Sequence, residues 1–564
     1  MAIVIGMICG GLAIVFRETI ELMLKTLFSA NENNLYDIIK TLPSWYIIAI
    51  TTGGGLTVGI IAHLFMPRNR AQGMTEVIET AIKKNHTLTL RTTIGSFFIN
   101  VITLGTGGSA GREGPIVHLA SGISSFILEK FKVEGRNRKI LLGCAAASAV
   151  SSAFNAPIAG VFFASELITG SYAVSQFVPV VVASVSGAFL SNIYYGEDTA
   201  FSLAQISDIS LYELPFFMIL GILSAYFTKA FISGVSFIFN FAKNYRIPIW
   251  LCPAIGGLGV GLIAMVFPQV MGDGYAITNK ALSGELSLYL LAVLVFAKLL
   301  ATILTIGFGG GGGVFSPSLF MGAMLGGTFG VIVISLFNDM GISNEISYIS
   351  YSVAGMGAVA GAVLGAPIST VFMIFELTNN YMLTLAVMLA TFISARYMQV
   401  INTPSFFNWQ LKNRGIDLDG GIENIAMRDT LVKDIMTDDF TTISKDATLD
   451  EVRNTLKESK LGGIFVVDNK NILQGHICLY SMADRAFDTA KDKNKTAIDV
   501  MDMTTERVKP TDNLEYVISL YGKHSETIVA VIDDNGKMIG LLHENDIIIS
   551  YKNIVADTRK EERI

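Results

Sequence analysis

Long apolar runs follow one another through the first three quarters of the chain and constrain its fold more than any other feature. They are Ile3–Phe28, Trp45–Met66, Phe97–Leu104, Ile140–Ile168, Phe177–Leu190, Leu214–Phe239, Ile249–Phe267, Leu286–Ile306, Leu319–Phe337, Ile349–Phe375 and Met382–Ile393. Several are too short to cross a hydrocarbon layer of about 30 Å, and many contain glycine. Such segments predict an all-α polytopic membrane domain whose broken helices line a polar path.

This membrane part repeats itself. Matching positions of Ala156–Leu167 return in the same register within Ala366–Leu377. A glycine-rich break that ends in proline precedes each copy, at Gly105–Pro115 and Gly307–Pro317. Corresponding interruptions in two halves predict inverted-topology repeats with a binding site near the bilayer midplane.

The tail has a different composition, because about half of all charged residues lie beyond position 420. Short β-branched strands alternate there with amphipathic helices, and the opening segment Val432–Thr437 resembles Ala497–Met501. This pattern predicts a soluble pair of small α/β modules. We therefore expect a membrane domain at 1–412, a linker at 413–427, a first module at 428–490, and a second module with the C-terminal tail at 491–564.

The segment Gly111–Pro115 carries the clearest chemistry. It places Arg112 and Glu113 between glycines at membrane depth, where an ionisable residue is costly and indicates function. A helix that begins inside the membrane directs free N–H groups at whatever lies in front of it. The segment predicts an anion site with a carboxylate beside it.

Gly111–Pro115 and Gly313–Pro317 resemble the two strongest signatures of the CLC family of chloride channels and proton-coupled anion exchangers, and the tail resembles a tandem CBS pair. The resemblance implies the CLC fold and passage of chloride or a similar monovalent anion, with Glu113 as the gate. The anion-binding residues that it implies are Gln72, Gly111, Arg112, Glu113, Gly114, Gly313, Val314, Phe315 and Phe407. For Val314 and Phe315 we expect the backbone to act and the side chains to pack.

Two of these positions depart from the family pattern. The family's Gly-Ser-Gly-Ile-Pro signature reads Ala71–Thr75 here, so that Gln72 replaces the serine whose hydroxyl usually contacts the central anion. The tyrosine that usually closes the same site is Phe407, which lacks the hydroxyl donor. Either the central site is altered, or its backbone donors suffice.

A third departure concerns protons. Exchangers of the family commonly carry two successive glutamates where this chain has Glu166 and Leu167, and the second relays protons. An aliphatic side chain cannot carry a proton, so a channel-like mechanism is favoured. A proton-coupled antiporter with altered selectivity stays open, with Glu113, Glu166 and the Leu167 position as the proton-pathway candidates.

In the tail, the resemblance to CBS pairs raises the question of a regulatory adenine nucleotide. Ser481, Asp484 and Asp546 are the candidates, and the alternative for both aspartates is a helix N-cap. No cofactor is required, no catalytic or metal-ligating set is predicted, and we expect no enzymatic activity. The net charge of −6 argues against a nucleic-acid partner.

The remaining expectations concern class, assembly and location. A CBS-regulated divalent cation transporter is a distant alternative that would need several intramembrane carboxylates. The family resemblance implies a homodimer in the lipid bilayer. We expect a multi-pass protein of the cell (inner) membrane with its CBS tail in the cytoplasm.

Overall fold

The computed structural model describes the chain except residues 33, 84–86, 134, 197–200, 202–208, 340–346, 417–426, 429, 460–461, 479–481, 483–494, 505, 522–527 and 564. Two compact units are present, Met1–Gly415 and Ile416–Arg563. The predicted domain boundaries themselves stay predictions.

Helices form the whole regular structure of the first unit in the part that the structure describes. They are α1 (Ala2–Phe28), α2 (Leu35–Ile39), α3 (Ser44–Phe65), α4 (Met74–Ile82), α5 (Leu90–Gly105), α6 (Glu113–Lys130), α7 (Gly135–Phe154), α8 (Pro157–Ala164), α9 (Val174–Tyr195), α10 (Leu214–Asn244), α11 (Cys252–Val266), α12 (Tyr275–Leu282), α13 (Leu288–Gly307), α14 (Phe315–Asp339), α15 (Tyr348–Leu364), α16 (Pro367–Thr378), α17 (Tyr381–Val400) and α18 (Phe406–Lys412). A π-helical turn, Ser165–Thr169, continues α8.

The apolar runs and these helices agree closely, and the predicted all-α membrane domain is confirmed. Seven described helices, α1, α3, α9, α10, α13, α14 and α17, are long and apolar enough to cross a membrane. Others, such as α5, α11 and α15, are apolar but shorter. The proline that follows Ala156 or Ala366 begins a new helix in each half, which is why the single runs Ile140–Ile168 and Ile349–Phe375 each form two helices.

The two glycine-rich breaks meet in the interior. Gly111 N donates to Gly313 O at 2.7 Å, and Gly313 N donates to Gly111 O at 2.6 Å. This antiparallel bridge joins corresponding positions of the two halves. It places the N-termini of α6 and α14 beside each other, as the predicted repeat requires.

A second reciprocal contact joins α8 and α16. Glu166 accepts hydrogen bonds of 3.2 and 2.9 Å from two first-turn N–H groups of α16. Glu376 accepts bonds of 2.8 and 2.7 Å from two first-turn N–H groups of α8. Between them Phe162 and Phe372 stack with ring centroids 4.3 Å apart. Each half therefore caps a helix of the other half.

We expect Glu166→Gln or Glu376→Gln to lower the free energy of unfolding by about 1–2 kcal/mol. The amide keeps one acceptor oxygen but loses the charge that faces the helix N-terminus. Thermal unfolding in detergent measures the effect, with Glu129→Gln at the exposed end of α6 as the control. Unchanged stability in both variants would contradict the capping role.

The second unit contains two three-stranded sheets of matching topology. The strands are β1 (Thr442–Ser444), β2 (Gly463–Val467) and β3 (Leu473–Cys478) in one sheet, and β4 (Arg507–Val508), β5 (Ile528–Ile532) and β6 (Met538–His543) in the other. The described α-helices of this unit include α19 (Leu449–Glu458) and α20 (Leu514–Tyr521), and α21 (Glu544–Arg563) follows β6. The predicted pair of α/β modules is confirmed.

The opening segments of the modules are exchanged. Thr437, at the end of the first opening segment, forms a two-way backbone pair with Leu541 of β6, at 3.0 and 2.9 Å. Asp502, which follows the second opening segment, forms the same pair with His476 of β3, at 3.0 and 2.8 Å. Each opening segment therefore extends the sheet of the other module, which joins the two modules into one unit.

Candidate anion pathway

Glu113 is the first residue of α6 and is 3% exposed. Its Oε1 atom accepts two hydrogen bonds, from Tyr275 Oη at 2.7 Å and from Ser316 Oγ at 2.6 Å. Its Oε2 atom is buried and has no hydrogen-bond partner among the described residues. The carboxylate thus lies between the N-termini of α6 and α14, in the position where their dipoles favour an anion.

A cavity of about 350 Å³ begins at this carboxylate. The structure brings most of the predicted site residues to its wall: Gln72, Glu113, Gly114, Gly313, Val314, Phe315 and Phe407. Arg414, which lies next to the last residue of the first unit in the sequence, also lines this large cavity. The arrangement is a cavity lined by apolar side chains and a few polar and basic groups, with the Glu113 carboxylate in its wall.

The two altered positions lie together in the large cavity. Gln72 Oε1 is buried there without a hydrogen-bond partner among the described residues, while the Gln72 N–H donates to Ser96 Oγ at 2.9 Å. Phe407, at the start of α18, is 7% exposed and packs edge-on against Phe406. An amide and an aromatic ring therefore stand where the family usually places two hydroxyl groups.

The predicted backbone donors separate into two groups. The N–H groups of Gly111 and Gly313 are already donated to each other's carbonyl oxygens, so they cannot bind an anion in this arrangement. The first-turn N–H groups at the starts of α6 and α14 have no intrahelical acceptor. Those of Glu113, Gly114 and Phe315 therefore remain amide donors of the site, and the N–H group of Val314, directly before α14, stays a predicted donor.

The Arg112 side chain points away from the large cavity. Its Nη1 atom binds both carboxylate oxygens of Glu32, at 2.5 and 2.6 Å, and lies 3.6 Å from Asp273 Oδ2. Its guanidinium also lies over the Tyr275 ring at 4.7 Å. With its charge neutralised by acidic neighbours, Arg112 supports the loop around the site; only its backbone could take the predicted anion-binding role.

These residues line a second, small cavity of about 40 Å³ on the other side of Glu113. Its wall includes Gly272–Tyr275, which precedes and begins α12. Lys298 is fully buried, and its Nζ donates to the carbonyl oxygens of Val270 and Gly272 at 2.9 and 2.8 Å. The loop that carries Tyr275 is therefore held by the buried Lys298 side chain.

Basic residues line part of the large cavity. Arg414 binds Glu76 at 2.7 Å and Glu79 at 3.2 Å, which ties the end of the membrane domain to α4. Arg70 lies over the Phe239 ring at 4.2 Å, and no carboxylate of the described residues lies within 4.0 Å of its guanidinium. Arg70 therefore contributes an uncompensated positive charge to the cavity wall.

Glu166 and Leu167 are absent from the described lining of both cavities. The Glu166 carboxylate is occupied by the two N–H groups of α16, and the neighbouring Leu167 is partly buried. The structure thus does not bring these two proton-pathway candidates to Glu113.

Of the three nucleotide-binding candidates, the structure describes only Asp546. Ser481 and Asp484 lie outside the described residues. Asp546 lies in the first turn of α21, directly after β6, where a carboxylate interacts favourably with the helix N-terminus.

Comparison with known proteins identifies the family. A family model described as voltage gated chloride channel matches residues 54–399. The CBS domain model matches residues 432–484 and 497–553. The chain belongs to the CLC family of chloride channels and transporters. It is a multi-pass membrane protein with two CBS domains, and its family comprises channels and transporters, not enzymes.

Individual relatives include both transport classes. A ClcB-like chloride channel protein of Ralstonia nicotianae is 29% identical over 406 residues, which cover 71% of this chain and 93% of that protein. The structure of a slow cyanobacterial Cl−/H+ antiporter matches 73% of this chain and 96% of its own, with a TM-score of 0.64 and 22% identity. A eukaryotic CLC transporter matches 97% of both chains, with a TM-score of 0.62 and 19% identity.

Sequence reasoning missed Tyr275, Ser316 and Arg70. Ser316 lies inside the second signature, but nothing in the sequence shows that its hydroxyl reaches Glu113. Tyr275 could have been found from the repeat, because Gly272–Tyr275 precedes α12 as Ala71–Met74 precedes α4, with a glycine at the N-cap in both loops.

Proposed function

We propose that this CLC protein is a channel-like pathway for chloride or a similar monovalent anion, with Glu113 as its gate. The observation that carries the proposal is the Glu113 carboxylate, which closes the large cavity at the N-termini of α6 and α14. A carboxylate in an anion position competes with a permeating anion for the same donors. Protonation removes its charge, so the side chain can leave and the anion can enter.

The site selects anions without binding them too tightly. Its donors are first-turn amides and hydroxyl groups, which favour negative charge through partial charges and dipoles. The neighbouring guanidinium groups are held elsewhere, because Arg70 lies over the Phe239 ring and Arg112 is paired with Glu32. An anion can therefore be attracted into the cavity and still leave the narrow site.

Passive transport is favoured over proton coupling by the residues at the relay position. Leu167 cannot carry a proton, and Glu166 is engaged by the N-terminus of α16. A proton-coupled antiporter is the second candidate, and the fold shared with a Cl−/H+ antiporter supports it. Because Gln72 and Phe407 replace the usual hydroxyl groups, the preferred anion has to be measured, whether the protein is a channel or an antiporter.

A divalent cation pathway has little support at this site. Glu76 and Glu79, the acidic residues of α4, are paired with Arg414. Among the described residues, no three His, Cys, Asp or Glu side chains are grouped so as to hold a metal ion.

Assembly and location follow from family likeness as further parts of the proposal. We expect a homodimer in the cell (inner) membrane, with the CBS tail in the cytoplasm. Exposed apolar side chains on α9, such as Val178, Val185 and Phe189, suit contact with lipid or with a second subunit. An adenine nucleotide at the CBS pair would be regulatory and is not required for transport.

Anion efflux from proteoliposomes tests the proposed activity. Vesicles loaded with chloride, bromide, nitrate or fluoride should release at least one of these anions when a potassium ionophore removes the electrical limit, and protein-free vesicles should not. Magnesium uptake under the same conditions should equal the protein-free background. Magnesium uptake without anion release would overturn the proposal.

Arg70→Gln should reduce anion entry into the large cavity by about two- to fivefold at low ionic strength, because it removes an unpaired charge from the wall. The difference should shrink as salt is raised, since salt screens the interaction. Arg246→Gln, outside the cavity lining, is the control. A reduction in flux that does not depend on salt would contradict an electrostatic role for Arg70.

A further inference from the structure

Two side-chain hydroxyl groups converge on one oxygen of the gate. Tyr275 Oη and Ser316 Oγ both donate to Glu113 Oε1, at 2.7 and 2.6 Å. Both donors belong to the second half of the membrane domain, whereas Glu113 belongs to the first. All three residues are buried, so bulk water cannot replace these bonds without a rearrangement.

The position of Tyr275 is fixed by its surroundings. Its ring stacks on Phe201 with centroids 5.2 Å apart, and the Arg112 guanidinium lies 4.7 Å from its centroid. The preceding loop is held through the Val270 and Gly272 carbonyls by Lys298. The Tyr275 hydroxyl is thus already positioned toward Glu113, so that little conformational entropy is lost when it binds an acceptor there.

The corresponding loops of the two halves bring different side chains to the pathway. In the first half, the loop before α4 brings Gln72 to the large cavity, where the usual serine hydroxyl is missing. In the second half, the corresponding loop before α12 brings Tyr275 to the small cavity and to Glu113. The hydroxyl donors of this pathway therefore lie at the gate and not at the Gln72 position.

We infer that Tyr275 and Ser316 are the side-chain donors of the anion position that Glu113 occupies. They hold the Glu113 carboxylate when the pathway is closed, and they bind the permeating anion after Glu113 is protonated and displaced. A halide ion, like a carboxylate oxygen, only accepts hydrogen bonds, so it can use both donors. The inference rests on the proposed gating role of Glu113 and adds which side chains determine its closure and the selectivity.

Removing either hydroxyl has a defined effect on the pH dependence. The donors stabilise the charged, closed form of Glu113, so that their loss favours the protonated, open form. The pH at which flux is half-maximal should rise by about one unit in Tyr275→Phe or Ser316→Ala, a tenfold change in the protonation equilibrium. The other charged groups around the gate stay in place: Arg112, Glu32, Asp273, Lys298, Arg70 and Glu76.

The same substitutions should weaken the preference for small anions. A hydroxyl donor binds chloride more strongly than the larger nitrate, because the negative charge of nitrate is spread over three oxygens. The ratio of chloride flux to nitrate flux should fall at least about threefold in each variant. Tyr289→Phe removes an exposed hydroxyl from α13 and should change neither quantity.

Efflux from proteoliposomes at a series of pH values, with chloride and with nitrate, tests the inference. It is supported if the midpoint rises and the chloride preference falls in both variants. It is overturned if both quantities equal those of the wild type, or if the midpoint falls. Glu113→Gln distinguishes a failure of this inference from a failure of the proposed gate. In that background, Tyr275→Phe should still lower the ratio of chloride flux to nitrate flux. If flux through Glu113→Gln alone still depended on pH, Glu113 would not be the gate.

Discussion

Glu113→Gln should pass anions at a rate that no longer depends on pH. The amide has nearly the shape of the carboxylate but no charge, so it cannot compete for the position between α6 and α14. In the wild type, the fraction of protein molecules with an open pathway should fall about tenfold for each unit of pH above the pH of half-maximal flux. Two units above the midpoint, the variant should therefore exceed the wild type by about two orders of magnitude.

The matched control for this prediction is Glu129→Gln, at the exposed end of the same helix. It makes the same chemical change without touching the pathway and should keep the wild-type pH profile. Proteoliposome efflux between acidic and alkaline pH measures both variants. If flux through Glu113→Gln still rose steeply on acidification, another group would be the gate.

Gly111→Ala should abolish most of the flux by filling the anion position. A Cβ atom on Gly111 would lie 2.7 Å from Glu113 Oε2, 3.0 Å from Ser316 Oγ and 3.1 Å from Ser316 N. The 2.7 Å contact would force the Glu113 side chain to move and the contacts with Ser316 are tight, so the methyl group competes with an anion for this space. Overpacking of this kind costs about 1–3 kcal/mol, which corresponds to a loss of about five- to 150-fold in flux.

The double variant Gly111→Ala/Glu113→Gln distinguishes a pathway that the methyl group blocks from a Glu113 side chain that the methyl group prevents from moving. In Glu113→Gln the gate is no longer charged, so a loss of flux in the double variant must come from the space that the methyl group takes. Gly53→Ala is the control, because a Cβ atom there would meet nothing within 4 Å. Full flux through Gly111→Ala/Glu113→Gln would show that anions do not pass between Gly111 and Ser316.

The helices could be predicted from the sequence because apolar length and proline position are local signals. The run Leu286–Ile306 became α13, whereas the single run Ile140–Ile168 divides where Pro157 begins a new helix. The two signature segments also identified the meeting point of the halves. Each of these features is encoded within about twenty neighbouring residues.

The partners of the gate could not be predicted in this way. Tyr275 and Ser316 reach Glu113 only because loops far apart in the chain are packed together. The same holds for Glu166, which the sequence offered for proton transfer and which the fold uses to cap α16. Such contacts depend on tertiary packing, for which none of these three residues carries a local signal in the sequence.

The reversal potential under combined anion and proton gradients tests the central claim most directly. The purified protein in a planar bilayer would be given a fixed chloride gradient, and the pH on one side would then be changed. A channel-like pathway predicts a reversal potential that stays at the equilibrium potential of the anion, while the current changes through Glu113. A reversal potential that moves with the pH gradient would show proton coupling and contradict the account.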